Sequence, residues 1–364
     1  MSDLKELLSS LDGLIAEGYG IAAPLVEKNA EFLAANAKAI DTAQHAVLSL
    51  SHTRMQELKS VVATGNKFGE LFKSFVITPS LFQSETRYRL FLAAVLAEHY
   101  WAQAFASGRE TDLNGEVFSM LAHASRDVDD SMPPLAKKGD IFKVAYAPVA
   151  GVEDVEGGEI ALIVHGHFGA SGEAYRPVLF QAKRSEGGAS HRVDIRRQSG
   201  DTQQLFKLLD NGHGYYLVYN QAEIAALWNG APRKVIAGPT VMSSVAAMRK
   251  ILPEISRPID QWKTIIPSMD ADSLMFSTFL CFHMFNQRNN IPTYEKPEDA
   301  LAAIMGEKAP SRLAYVAGGE KLNVARFLTV VRDSNLIDPA QLLGNVTAAD
   351  FQAAQPRSPG GKKP

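Results

Sequence analysis

Three strand-patterned runs follow one another with no helical pattern between them: Ile141 to Val149, Glu159 to His167 and Pro177 to Arg184. Each is short, rich in apolar and β-branched residues, and bounded by Gly- or Ser-containing turns. The period then changes. Asp201 to Asp210 reads as a helix, capped by Asp201 or Thr202 and stopped at Asn211-Gly212-His213-Gly214. Tyr215 to Asn220 reads as a fourth strand. Upstream, Ser84-Glu85-Thr86-Arg87 is a capping signal for a helix running to about Phe105, and a second helical pattern runs from about Leu113 to Arg126. A block of strands flanked and interrupted by helices predicts an α/β (α+β) fold, one sheet carrying helices.

From Leu4 to Phe75 the apolar residues recur at helical spacing: Leu4, Leu8, Leu11 and Ile15, then Leu25, Phe32, Leu33, Ile40, Val47, Leu50, Leu58 and onward to Phe75. No Pro or Gly occurs between Pro24 and Gly65, so the spacing predicts one very long helix or a hairpin of two. Such a stripe is either a helical layer on the following domain or a surface for self-association or a partner protein. A chain of 364 residues exceeds one typical domain. The pattern divides it into an N-terminal helical module (1–78), a core (79–232), a mixed, mainly helical region (233–354) and a disordered tail (355–364). In the third region Lys234 to Ala237 reads as a short strand. Val241 to Leu252, Ser273 to Phe285 and Lys321 to Ser334 read as helices.

Two strands carry polar residues that an ordinary strand would not place among apolar ones. From Arg176 to Arg184 the alternation puts Gln181 and Lys183 on one face, Phe180 and Ala182 on the other. Glu159 opens the preceding strand, after Gly157-Gly158. On neighbouring strands, a carboxylate beside an amide and an ammonium can hold a divalent cation and a phosphate. Oxygen ligands without cysteine suit Mg²⁺, and Lys183 would orient an attacking water and stabilise developing charge. Arg184, Arg192, Arg196 and Arg197, with His191, form a small basic patch that reads either as phosphate contacts or as a solvated loop. On an edge strand, Gln181, Lys183 and Arg184 would simply face solvent.

The order Gly157-Gly158-Glu159, then Phe180-Gln181-Ala182-Lys183-Arg184, resembles the Q-x-K branch of the restriction-endonuclease-like, PD-(D/E)xK nuclease superfamily over about residues 85–222. Glu159 stands where Asp is commoner. The resemblance implies a restriction-endonuclease-like αβββαβ core, with an N-terminal helical module and a mainly helical C-terminal region. It implies Glu159, Gln181 and Lys183 as catalytic residues. Glu159, Gln181, Glu98 on the preceding helix and Glu153 before the glycine turn would form a site for Mg²⁺ (or Mn²⁺). Arg184, Arg192, Arg196 and Arg197 would meet nucleic acid, DNA in preference to RNA. The helix with Gln204-Leu205 and the aromatic strand Tyr215 to Tyr219 fit the same branch. The implied activity is endonucleolytic hydrolysis of phosphodiester bonds, in restriction or antiviral (anti-phage) defence. The alternative is a non-catalytic module of the same fold that binds a partner protein through the N-terminal helices, and metal binding separates the two.

Composition narrows the rest. With 37 basic and 40 acidic residues, the net charge of −3 gives no global signal for nucleic acid, so such contacts must be local. The single cysteine, Cys281, excludes an intrachain disulfide and a Cys-rich zinc site, and it reads as a small buried residue. The N-terminus lacks a basic n-region with an apolar core, and the most apolar run, Leu274 to Phe285, is too short to span a bilayer. A cytoplasmic chain without membrane contact is expected. His165 and His167 share a strand face and could ligate zinc, with no third ligand at clear spacing. The strand and His-Gly turn at Ala161 to Gly166 look like those of an α/β-hydrolase, but the chain has no G-x-S-x-G elbow.

Overall fold

The computed structural model describes residues 30–44, 46–63, 71, 74–76, 78–105, 115–150, 159–168, 172–185, 192–195, 203–220, 223–228, 231–236, 238–258, 261–287, 289–305, 310–347 and 350, with position 159 described by its backbone. Its strands are β1 (Asp140–Pro148), β2 (Glu159–His167), β3 (Glu173–Arg184), β4 (Arg192–Asp194), β5 (Gly214–Tyr219), β6 (Glu223–Trp228), β7 (Ala231–Ile236), β8 (Thr240–Ser243), β9 (Ile265–Pro267), β10 (Ser273–Met275), β11 (Arg312–Glu320) and β12 (Leu343–Gly344). One mixed sheet has the order β10-β8-β5-β3-β2-β11-β1-β12, while β4 with β9 and β6 with β7 form two-stranded ribbons.

The helices are α1 (Ala30–Thr42), α2 (His52–Ala63), α3 (Glu85–Phe105), α4 (Glu116–Ser131), α5 (Gln203–Asn211), α6 (Ser244–Ile251), α7 (Phe276–Thr278), α8 (Pro297–Ala302) and α9 (Val324–Asp333). A π-helical segment, Phe279–Met284, continues α7. One core packs α1, α3, α4 and the π-helical segment against Val178, Phe180 and Ala182 of β3. The other packs α5, α6, α8 and α9 against Leu179 of β3 and Ala161 and Ile163 of β2. The alternation of β3 is thus divided between two apolar layers, as a central strand requires. Helix α3 starts where the capping signal predicts, with Ser84 Oγ accepting from Arg87 N at 3.3 Å. Its residues from Thr86 to His99 are buried, as a helix covered on every side must be.

The sheet corrects the expected topology. Strand β11 lies between β1 and β2, antiparallel to the first and parallel to the second. The three expected strands are therefore not a simple meander, because a segment some 150 residues later enters between them. The region 233–354 is neither mainly helical nor apart from the core. The predicted helices at 241–252 and 273–285 begin as strands β8 and β10, which pair with each other.

Of the two expected arrangements for this stretch, the single long helix is excluded. α1 and α2 are separate, and Leu48 between them bridges to Phe82. The α1 stripe, Phe32, Leu33, Ala37 and Ile40, lies in the same core as α3. The described part of residues 1–78 is thus a layer of the fold, while the pattern at Leu4 to Leu25 lies outside the described residues, as does the tail 355–364. Among the described residues no helix is long and apolar enough to cross a membrane.

Candidate functional site

β2 and β3 pair antiparallel with position 159 opposite Gln181. Opposed positions of an antiparallel pair share a sheet face, so 159, Gln181 and Lys183 lie on one side of the sheet. β3 is flanked by β2 and β5, which removes the edge-strand reading. Gln181 is fully buried, and Lys183 is 6% exposed. Arg184, the next residue, is exposed.

The chain leaves β3, passes through α5 and returns as β5, parallel to β3 with Lys183 beside Val218. Leu205 and Leu208 of α5 pack on the Lys183 face. Gly212, at φ 70°, ends the helix in the left-handed conformation that glycine tolerates, at the predicted stop. Gln181 and Lys183 therefore stand near the carboxyl ends of a parallel strand pair, where open α/β sheets place ligands.

At this end polar residues extend across adjacent strands on one face. Lys183 and Ser185 follow Gln181, Asn220 follows β5, and Thr240 opens β8 opposite Val218. All are buried. Asn220 Nδ2 donates to Gly238 O at 3.0 Å and to Thr240 Oγ1 at 3.1 Å. Ser268 Oγ donates to Asn220 Oδ1 at 2.7 Å, and Thr240 Oγ1 donates to Ser268 O at 2.9 Å. This ring fixes the ends of β5 and β8 beside β3. Gln181 Nε2 donates to Ala182 O at 3.3 Å.

Glu98 stands elsewhere. It belongs to α3, in the core on the opposite face, and its Oε1 accepts from Ser277 N at 2.7 Å at the start of α7. The sheet separates it from Gln181 and Lys183, so it is not a ligand of that site. Burial raises its carboxyl to about 8, against the opposing pull of the Ser277 and Phe276 bonds. The sequence does not aim this residue, because α3 is buried on every face from Thr86 to His99 and shows no solvent side to set a direction. Glu153, His191, Arg196 and Arg197 lie outside the described residues. Arg192 is exposed on β4. Among the described residues no group of three or more His, Cys, Asp or Glu could hold a metal ion.

His165 and His167 lie toward the far end of β2 from position 159. His165 is buried, its Nδ1 2.6 Å from Tyr315 Oη and its Nε2 2.9 Å from Glu173 Oε1. Burial lowers its pKa to about 4, although Glu173 pulls the other way. The neutral ring donates through Nε2 to Glu173 and accepts the Tyr315 hydroxyl proton at Nδ1. His167 Nε2 donates to Glu320 O at 2.6 Å. Both tie β2 to its neighbours. Tyr315 escaped the sequence reading because β11 itself did. Comparison with protein-family models, curated proteins and solved structures finds no match.

Proposed function

We propose that this chain is a metal-dependent endonuclease on a restriction-endonuclease-like core, cleaving phosphodiester bonds of nucleic acid, DNA in preference to RNA. One observation carries the reading: position 159 stands opposite Gln181, with Lys183 two residues on, buried at the carboxyl end of a central strand. The Glu159 carboxylate and Gln181 Oε1 would hold Mg²⁺ (or Mn²⁺), which supplies Lewis acidity at the phosphate when bound. Lys183 holds the attacking water by a hydrogen bond and offsets charge developing on the phosphate oxygens. Arg184 contributes a phosphate contact from the exposed strand end. A role in restriction or antiviral defence follows from the resemblance alone.

The deciding variant is Lys183→Met, which removes the charge and keeps the buried stem. Plasmid cleavage in Mg²⁺ should fall on the order of 10²-fold or more with the melting temperature little changed. A wild-type protein that neither cleaves nor binds Mn²⁺ favours the non-catalytic alternative. A Lys183→Met protein that cleaves at the wild-type rate removes Lys183 from the mechanism.

A further inference from the structure

The β4–β9 ribbon stands outside the main sheet, and its sides differ sharply. Trp262, Thr264, Ile266 and Ser268 are buried, whereas Lys263, Ile265 and Pro267 are exposed. On β4, Val193 is buried and Arg192 exposed, and Arg192 pairs across the ribbon with Pro267. The inner row, including Val193 and Ile266, joins the core that contains Leu179, Tyr216 and Val218. The ribbon is thus seated on the face of the sheet that carries Lys183, with its other side turned to solvent.

That outer side combines two features. Ile265 is 45% exposed, one of few large apolar side chains so placed among the described residues. Arg192 and Lys263 flank it, with no ion-pair partner among the described residues. Nearby cations differ: Lys250 is bridged to Asp270 and Asp272, and Arg257 to Glu254. The ribbon's own acid, Asp194, stands opposite Ile265 and is half-buried, its Oδ1 accepting from the buried Thr264 hydroxyl at 2.6 Å. Unpaired cations beside exposed apolar surface complement a polyanion with apolar sugar edges, and a two-stranded ribbon is narrow enough for the major groove.

We propose that the outer face of this ribbon docks a DNA duplex, with Arg192 and Lys263 on the phosphates and Ile265 and Pro267 against the sugars. The proposal rests on the nucleic-acid reading of the Lys183 site and adds Lys263, Ile265 and Pro267 to it. The probe is a short fluorescein-labelled duplex, titrated by anisotropy in metal-free buffer at several salt concentrations. The double variant Arg192→Ala, Lys263→Ala should bind more weakly and reduce the slope of log K against log salt by about 2. Ile265→Asp should weaken binding at least about 10-fold, by placing a carboxylate against the phosphates. All these positions are exposed, so unchanged melting curves certify the fold. Unchanged affinity and slope in every variant overturn the ribbon assignment and leave the nuclease reading standing. Ribbon-dependent DNA binding by a wild-type protein that never cleaves overturns the nuclease reading alone. A wild-type protein that binds no duplex even at low salt overturns both, whereas ribbon variants that change the oligomeric state with no effect on DNA overturn the ribbon assignment alone.

Discussion

Gln181 and Lys183 are costly residues to bury, since taking a polar group or a charge out of water must be offset by partners inside the protein. Their burial on a central strand is what separates this site from a solvated strand edge. Glu98 poses a similar cost with a different outcome. Its pKa in the fold, about 8, lies above the ordinary 4.5, so the folded state holds a proton that the unfolded state releases between those values. Its contribution to stability is complete below about pH 4.5 and is lost as pH rises through about 8. Glu98→Gln keeps an oxygen for Ser277 N. Melting temperatures measured from pH 5 to pH 9 should show this decline in the wild type, and Glu98→Gln should flatten it and melt higher above pH 8. Tyr315→Phe tests the second buried network. It strips His165 Nδ1 of its hydroxyl partner and should cost about 1–3 kcal/mol by urea denaturation.

At the scale of elements, side chains close what the backbone leaves open. β10 ends the sheet on one side, and there Asn36 of α1 takes the place of a further strand. Its Nδ2 is 3.4 Å from Ser273 O, and its Oδ1 accepts from Met275 N at 2.8 Å. On the other side Asn345 Oδ1 accepts from Val144 N at 2.7 Å, and its Nδ2 donates to Phe142 O at 3.0 Å. Both devices cover edges that would otherwise pair with another chain. Asn36→Leu should therefore cost on the order of 2 kcal/mol or more and raise the tendency to aggregate, read by denaturation and light scattering. The helix from Phe276 to Met284 is matched at both ends. Glu98 accepts at its start, and at its close Arg176 Nη1 donates to Met284 O at 2.5 Å and to Asn286 O at 2.7 Å. Acceptors at the amino end and cations at the carboxyl end complement the helix dipole.

Across the whole molecule, β11 decides the architecture. It holds β1 to β2 from a position far along the chain, so the two cores close only after residue 320 has joined. A fragment ending at residue 232 lacks β8, β10, β11 and β12 and leaves β1 without either neighbour. Expressed alone, residues 79–232 should give a chain without cooperative unfolding. A sharp melting transition in that fragment would show that the middle of the chain folds independently. Removal of residues 1–79 should likewise disrupt the core, because Phe32, Leu33, Ile40, Phe75 and Val76 leave with it.

Local pattern determined much of this protein. The start of α3 at Ser84, the stop of α5 at Gly212, the span of β2 and the common face of Gln181 and Lys183 follow from capping, glycine geometry and the two-residue period of a strand. These depend on residues a few positions apart. The neighbours of each strand and the direction of each helix face did not follow. The β11 insertion joins segments distant in sequence, and no local period encodes which strand fills a gap in a sheet. Segments 241–252 and 273–285 change type at their first residues, because pairing between β8 and β10 outweighs the helical pattern that follows. Glu98 reads as a neighbour of the site along the chain and lies across the sheet from it, because only packing decides which side of a central sheet a helix buried on every face covers.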